Sequence, residues 1–295
     1  MADLLADILL ETGGTIFLDV TIGNAGYFKK MLNLSQRDFH FYGIDLDEEA
    51  LKRAKRNLRY SNLSLKCANN LNLSHIAKEW GVEKFDGICG DFGLSWDQLL
   101  DSSRGFSYKS TGALDMRFSI EQDTNAADLV NNLPKDELIG IFKDIGQERF
   151  SRRIANEIIS LRPLETCDQL TDIVRKIYRG KSVEKCLSRI YMSLRVTVNK
   201  ELEAIDQLLP AALDLLSKGG RFVFLSYNSN EDRRVKNFFQ HWSKACRCKP
   251  ESPVCTCDRT PRLKILTKKA ITPSKKEIIN NPMSRAAKLR AAQKL

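Results

Sequence analysis

The first hundred residues alternate short strand-like runs with helix-like runs, and this alternation restricts the fold more than any other feature of the sequence. Apolar runs end at Asp19, Asp45 and Asp91, and apolar residues at helical spacing follow from Glu48. Strands that alternate with helices predict crossover units and a parallel sheet. Because the ligands of such sheets bind beyond the carboxyl ends of the strands, the three acids are candidate site residues.

A second pattern begins near Arg104, from which point the sequence predicts helix after helix and no strand as far as Ile190. We therefore expect an all-helical domain at residues 106–194, inserted into an α/β domain formed by residues 1–105 and 195–295. The helical stretch 192–216 leads back to the α/β domain, and Pro210 is expected to kink or break it. A fifth strand is predicted at residues 221–226 and an exposed strand at residues 262–267.

The turn after the first strand carries Gly23 and Gly26, and Asp45 lies 22 residues beyond Gly23. A glycine turn lets the backbone approach a ligand, and an acid about 20 residues further on can hold ribose hydroxyls. The turn lacks a complete G-x-G-x-x-G pattern, which argues against a pyrophosphate. It favours S-adenosylmethionine over NAD, although on these residues alone a tight turn beside a solvated acid is an equally good interpretation.

The long loop that begins at Asp91 mixes acids, glycines, aromatic residues and amides through Gln98 and on to Arg117. A carboxylate there could accept an N–H of an exocyclic amine and leave the nitrogen lone pair free to take a methyl group. Aromatic residues could stack on an extruded base, with core packing as the alternative interpretation of each; they are Phe92, Trp96 and Tyr227.

The net charge of +10 is concentrated at the end of the chain. Residues 246–295 contain 13 Lys and Arg against 3 Asp and Glu, while the rest of the chain is balanced. This distribution favours a neutral body with a basic edge that binds a polyanion, rather than a merely solvated face. The candidate phosphate contacts are Lys264, Lys268, Lys269, Lys275, Lys276, Arg285, Lys288, Arg290 and Lys294.

Four cysteines form a C-x-C…C-x-C pattern: Cys246, Cys248, Cys255 and Cys257. Residues i and i+2 of an extended chain point the same way, so each pair could offer two thiolates to one tetrahedral zinc ion. The usual spacing is C-x-x-C, so reduced free thiols are an equally good interpretation and disulfides a weaker one.

Other sequence features argue against export and membrane insertion. No apolar run reaches the roughly 18 residues that a membrane span needs. The acidic start of the chain, MADLLADILLETGG, is unlike a signal or transit peptide, so we expect a cytoplasmic protein. The sequence leaves open whether that protein is a monomer or a homodimer.

Several longer motifs together resemble one family, the bacterial small-subunit rRNA cytosine-N4 methyltransferases known as RsmH or MraW. They follow in the family's order over nearly the whole chain: LDVTIGNAGYF, GIDLDEEAL, DFGLSWDQL, SSRGFSYKSTGALDMR, GQERFSRRIA, SLRVTVNKELEAI, LSKGGRFVFLSYNSNEDRRVK, ITPSKKEI and NPMSRAAKLRAA. The resemblance implies a Rossmann-like class I methyltransferase with an inserted helical domain. It also implies S-adenosylmethionine as methyl donor and cytidine 1402 of 16S rRNA, in the decoding centre of the small ribosomal subunit, as acceptor.

The resemblance also implies roles for individual residues. The implied cofactor-binding residues are Gly23, Ala25, Gly26, Tyr27, Asp45, Asn70, Asp91 and Gln98. The implied catalytic residues that face the reacting amine or the target base are Asp91, Asp115, Asn228 and Asp232. The substrate-binding candidates are Trp96, Arg117, Ser226, Tyr227, Lys268, Lys269, Lys275 and Lys276.

The chain differs from the family pattern around both pockets. Ala25 and Tyr27 stand where the family has a glycine and a histidine, and Asn70 stands where it has an aromatic residue. The family's Ser-Ser-Pro-Gln is Ser-Trp-Asp-Gln at residues 95–98, and its Phe-His-Ser is Tyr-Asn-Ser at residues 227–229. The alternative function is therefore a homologue with weakened or lost catalysis that binds rRNA as a ribosome assembly factor.

Overall fold

The computed structural model describes residues 1–69, 72–178, 182–248, 254, 256 and 260–295. These residues divide into two units, one formed by residues 1–93 with 202–295 and the other by residues 94–201. The described helices are α1 (Ala2–Leu10), α2 (Gly26–Leu34), α3 (Glu48–Asn57), α4 (Leu73–Glu79), α5 (Trp96–Leu100), α6 (Ala126–Asn132), α7 (Lys135–Gly140), α8 (Ser151–Ser160), α9 (Cys167–Ile177), α10 (Val183–Val198), α11 (Glu201–Leu215), α12 (Ser229–Trp242) and α13 (Lys275–Asn280).

Strands of the first unit form one sheet: β1 (Ile16–Asp19), β2 (His40–Asp45), β3 (Leu63–Cys67), β4 (Phe85–Asp91), β5 (Leu216–Ser226), β6 (Leu263–Ile265) and β7 (Lys288–Lys294). Within the described residues the order is β3-β2-β1-β4-β5-β7-β6. Strands β1 to β5 are parallel, whereas β7 runs antiparallel to both of its neighbours. Because the chain order reverses between β1 and β4, the carboxyl ends of these two strands flank the switch point at which such folds bind ligands. The expected Rossmann-like class I fold is thus confirmed.

The middle of the sheet is buried on both faces, which accounts for the nearly continuous apolar runs of β1 and β4. Glycines in β4 leave room for the layers on either side of it. A Cβ atom on Gly87 would lie 2.7 Å from Leu9 of α1, and one on Gly90 would lie 2.7 Å from Val20. The three strands β1, β2 and β4 end at Asp19, Asp45 and Asp91, as the sequence predicts.

The helical stretch that returns to the sheet is interrupted at a different place from the one expected. Helix α10 ends before Asn199, and Lys200 adopts a left-handed φ of 49° before α11 begins. Pro210 lies inside α11, which continues past it. Leu209 and Leu213, on either side of this proline, are almost completely buried, so packing against the sheet outweighs the lost hydrogen bond.

Strand β7 is absent from the sequence-based expectations, which treat its basic residues as phosphate contacts. Residues 288–294 pair instead with β5 and β6, and Leu289, Ala291 and Ala292 are buried. Alanine is uncommon in strands, which hides this strand from a propensity argument. The Lys294 ammonium group donates to the carbonyl groups of Leu213 and Leu216, so it serves the fold.

The second unit, residues 94–201, is built from α5 to α10, and its described residues contain no strand beyond a single bridge between Ala113 and Thr166. Its core is formed by apolar residues from these helices, including Phe142, Leu170 and Ile190, each fully buried. In the part of the chain that the structure describes, no helix has the length and apolar character of a membrane span.

Candidate active site

Three carboxylates lie side by side at one edge of the sheet. Asp19, Asp45 and Asp91 end three strands that are neighbours in the order β2-β1-β4. Asp19 is in register with Gly43 of β2 and with Cys89 of β4. The sheet therefore brings together the acids that the sequence singles out.

Asp45 organises the turn that follows β1. Its Oδ2 accepts the backbone N–H of Gly23 at 3.0 Å, and its Oδ1 accepts that of Asp47 at 3.0 Å. Burial raises the pKa of Asp45, and the two backbone donors oppose this rise. Each carboxylate oxygen has a second lone pair, so two hydroxyls of a ligand could bind there as well.

The turn itself presents open backbone. Gly23 has a φ of 51°, a left-handed conformation that glycine adopts without strain. Ala25 has a φ of 57° and occupies the N-cap position of α2, where its fully buried methyl group makes no capping hydrogen bond. A Cβ atom on Gly26 would meet nothing within 4 Å, so a ligand can approach the first turn of α2 closely.

Asp91 is held through one oxygen only. Its Oδ2 accepts the Tyr27 hydroxyl at 2.5 Å and has a longer contact of 3.4 Å with the Tyr227 hydroxyl. Its Oδ1 is buried and has no hydrogen-bond partner among the residues that the structure describes. The Asp91 N–H donates to Thr21 Oγ1 at 2.6 Å, which fixes the backbone at this strand end. Burial raises the pKa of Asp91, while the two phenols counteract that rise.

Asp19 is a further site residue, which the implied roles leave out. It is fully buried, and its Oδ1 accepts the backbone N–H of Thr21 at 2.9 Å. Its Oδ2 is buried and has no hydrogen-bond partner within the described part of the chain. Burial, with repulsion from Asp91 and Asp45, raises the pKa of Asp19 to about 7. Its position at the end of an apolar run is the sequence signal that made it a candidate.

The edge of the sheet is electrostatically negative. Among the described residues, no lysine or arginine forms an ion pair with Asp19, Asp45 or Asp91. Two of these carboxylates carry a buried oxygen without a partner, which is rare in folded proteins and calls for a ligand or a functional reason. Such a site repels a pyrophosphate and attracts a cation.

The segment after β5 begins α12 with a capping box. The Asn228 side chain accepts the N–H groups of Asn230 and Glu231, at 2.9 and 3.0 Å. The fully buried Glu231 side chain accepts the backbone N–H of Tyr227 at 2.9 Å. Ser226 is buried as well. Asn228, implied to face the base, therefore has a structural role here, and Glu231 is a residue that the N-x-x-E pattern could have revealed.

Asp232 joins α12 to β7. Its carboxylate accepts Nε of Arg290 at 2.6 Å and lies 3.6 Å from the ammonium group of Lys288. These cations hold the pKa of Asp232 below its usual value, against the opposing effect of burial. Arg290 and Lys288, expected from the sequence to contact phosphate, thus neutralise an acid of the same unit.

The helical unit holds the other candidates. Gln98 and Ser95 form a capping box at the start of α5, and Trp96 is 54% exposed, so core packing does not account for it. Asp115 and Arg117 form a two-point ion pair at 2.9 and 2.8 Å.

The loop that carries Asp115 and Arg117 is held by Asn199, a residue that the sequence did not single out. Its amide donates to the Met116 carbonyl and accepts the Phe118 N–H, both at 2.8 Å.

Some of the predicted residues lie outside the described part of the chain: Asn70, Cys255 and Cys257. Cys246 is exposed, and the Cys248 sulfur accepts the Thr256 N–H at 3.4 Å. Among the residues that are described, no three His, Cys, Asp or Glu side chains are grouped to hold a metal ion. Since half of the cysteine cluster is not described, the zinc site stays a prediction.

The four lysines proposed to bind substrate all belong to the first unit and are exposed: Lys268, Lys269, Lys275 and Lys276. Lys275 and Lys276 open α13, whose cap is Ser274. A basic surface is therefore present along this segment.

Comparison with known proteins identifies the family. The model of the MraW methylase family matches residues 1–295. Proteins named ribosomal RNA small subunit methyltransferase H are similar over nearly their whole length. The protein from Clostridium botulinum is 38% identical, with 95% of this chain and 93% of the relative covered. The one from Thermomicrobium roseum is 39% identical (97% and 90%), and the one from Citrifermentans bemidjiense is 37% identical (100% and 97%). The chain belongs to the MraW methylase family.

Proposed function

We propose that this protein transfers a methyl group from S-adenosylmethionine to N4 of cytidine 1402 in the decoding centre of 16S rRNA. The observation that carries the proposal is the Asp91 carboxylate at the switch point of the sheet, of which one buried oxygen has no partner among the described residues. The names of the relatives support small-subunit rRNA as the substrate class. We expect the protein to act in the cytoplasm, on the small ribosomal subunit or its rRNA.

The donor fits the residues at this edge of the sheet. S-adenosylmethionine combines a ribose with a positively charged sulfonium and supplies an electrophilic methyl group. Asp45 would hold the ribose hydroxyls through its remaining lone pairs, and the open backbone at Gly26 would line the cofactor. The negative charge of the ionised carboxylates at this edge suits a cation and would disfavour the phosphates of NAD.

Asp91 would act on the acceptor through Oδ1. That oxygen would accept one N–H of the cytosine amine, so that the nitrogen lone pair points towards the methyl group and not into the ring, and would take up this proton as the N–CH3 bond forms and the S–CH3 bond breaks. The carboxylate has to be ionised to accept this bond. Because burial raises its pKa, we expect activity to increase with pH along the acidic limb of the profile.

The target base would have to leave the RNA stack to reach this acid. We propose that the inserted domain, residues 106–194, recognises the substrate, and that the exposed Trp96 offers a ring for stacking. The lysines at 268, 269, 275 and 276 would contact phosphates, which position an RNA without specifying a base.

The experiment is mass spectrometry of 16S rRNA from cells with and without the gene, followed by restoration with the gene or with Asp91→Ala. We expect N4-methylcytidine at position 1402 to disappear on deletion and to return only with the intact gene. Unchanged methylation in the deletion strain would refute the function.

Calorimetry separates the enzyme from the alternative assembly factor. We expect the enzyme to bind S-adenosylmethionine at micromolar concentration, and Asp91→Ala to weaken this binding, because it removes a negative charge that suits the sulfonium, and to lose turnover. A chain that binds small-subunit rRNA but no S-adenosylmethionine at millimolar concentration would support the assembly factor.

A further inference from the structure

We infer that Tyr27 and Tyr227 are positioning residues that occupy Oδ2 of Asp91 and so reserve Oδ1 for the substrate amine. The inference rests on the proposed function, since it concerns the same carboxylate. It changes the role expected for each tyrosine, because the sequence predicts that Tyr27 binds the cofactor and that Tyr227 stacks on the base.

The two phenols reach one atom from two different elements. Tyr27 lies in the first turn of α2, and Tyr227 lies just beyond the end of β5. Both hydroxyls point to Oδ2, at 2.5 and 3.4 Å, and neither contacts Oδ1. A carboxylate bonded through one oxygen cannot rotate freely, and therefore Oδ1 keeps a fixed direction.

The surrounding charges make the phenols important to Asp91. Asp19 and Cys89 approach it from the strands, and Asp45 lies beyond Asp19. On the other side, Glu231 and Glu277 act on Tyr227. All of these groups are acidic or neutral, so in the described structure hydrogen bonding from the two phenols is what favours the ionised carboxylate.

The test is an infrared titration of the free protein labelled with ¹³C-aspartate, with Asp91→Asn used to assign the Asp91 band. We expect Tyr27→Phe to move the midpoint of this band to higher pH by about one unit, because a hydrogen bond to a charged group contributes on the order of 1.5 kcal/mol. Tyr227→Phe is expected to move it less, since its contact is longer. Thermal unfolding checks that each variant folds.

Tyr42→Phe is the matched control, because Tyr42 belongs to the same unit and its described contacts are ring contacts with Trp80 and Phe85. If the Asp91 band has the same pH midpoint in Tyr27→Phe as in wild type and in Tyr42→Phe, the inference is wrong. The acidic limb of methyl transfer should move in the same direction as the band. Absence of methyl transfer by wild-type protein would refute the proposed function alone, since the infrared midpoint is measured without substrate.

The geometry of the helical unit points independently to a phosphate site. A cavity of about 360 Å³ is lined by Gln147, Arg149, Tyr178, Ser182, Lys185 and Arg189. Three of these residues are cations. The acid beside them, Glu148, is completely buried and bonds Arg189 and the Tyr178 hydroxyl.

Both guanidinium groups are held in place before any ligand arrives. Arg189 Nε donates to Glu148 at 3.0 Å, and the Arg149 guanidinium lies 4.6 Å from the centre of the Phe150 ring. Lys185 is exposed and forms no ion pair within the described structure. Arginines that are already oriented lose little entropy when they bind a phosphate, so this cavity is suited to one phosphodiester of the RNA substrate.

The test compares two double charge reversals on the same unit, Arg149→Glu with Lys185→Glu in the cavity and Arg175→Glu with Lys176→Glu on the exposed face of α9. RNA affinity is measured over a range of salt concentrations. We expect the cavity variant to bind at least tenfold more weakly than the control and to show a shallower salt dependence, with equal affinity for S-adenosylmethionine. Equal RNA binding by both variants would refute the phosphate site, whereas a wild-type protein that binds no RNA would refute it together with the proposed function.

Discussion

The backbone N–H of Gly23 donates to Oδ2 of Asp45 across 3.0 Å, so the acid at the end of β2 holds the turn after β1. The same carboxylate accepts the N–H of Asp47, the residue that caps α3. One side chain thus orders the turn, the strand end and the next helix while lone pairs remain for a ligand.

Asp45→Ala should weaken S-adenosylmethionine binding by tenfold or more, because hydrogen bonds to charged groups contribute about 1.5–3 kcal/mol each. Calorimetry at fixed pH measures the change. Asp38→Asn is the control, since Asp38 is exposed just before β2. Equal affinity of Asp45→Ala and wild type would exclude Asp45 as a cofactor ligand.

Asp19 should make the protein less stable as pH rises. Its ordinary pKa of 3.8 is raised to about 7 in the folded state, so between these values the folded protein retains a proton that the unfolded chain has released. The free energy of unfolding therefore decreases through this range, by an amount on the order of 4 kcal/mol, and levels off above pH 7.

Asp19→Asn removes this titration and retains an acceptor for the Thr21 N–H. Urea unfolding between pH 4 and pH 8 should show the variant gaining stability relative to wild type as pH increases. A difference that does not depend on pH would mean that Asp19 is ionised throughout the range.

The Asp232–Arg290 pair is expected to stabilise the fold, because its side chains are only 12% and 11% exposed. Asp232→Ala should lower the free energy of unfolding by about 3 kcal/mol, since it leaves Arg290 without its partner. The double variant with Arg290→Ala should recover part of this loss.

A double-mutant cycle by chemical denaturation measures the coupling. The control is the more exposed pair Asp206 and Arg234, for which we expect less than about 1 kcal/mol. If the coupling energy of the Asp232–Arg290 pair is no larger than that of the control pair, the ion pair does not stabilise the fold, and Asp232 is available to contact the substrate.

Reversing the charges of Lys268, Lys269, Lys275 and Lys276 to Glu should weaken RNA binding and flatten its dependence on salt. Affinity for S-adenosylmethionine should not change. The control reverses four exposed cations elsewhere in the unit: Lys29, Lys55, Arg56 and Arg59. If both variants lose the same affinity, net charge and not this surface governs binding.

The sequence alone predicted the parallel sheet and its three acidic strand ends, since buried runs that stop at an acid are local patterns. It did not decide between a kink and a break at Pro210, because the packing of Leu209 and Leu213 against the sheet, with which α11 continues past the proline, is not visible locally. It also missed β7, whose alanines have little strand propensity and become buried only by pairing between β5 and β6.

The candidate site, too, was predicted only in part from the sequence. Local sequence determined that acids stand at the ends of β1, β2 and β4, and that a glycine turn precedes α2. Only the tertiary structure decided which side chains meet, because Tyr27, Asp91 and Tyr227 are far apart in the chain and join through strand order. The charge of the chain end follows the same rule: composition determined its sign, but folding neutralised part of it when β7 placed Arg290 beside Asp232.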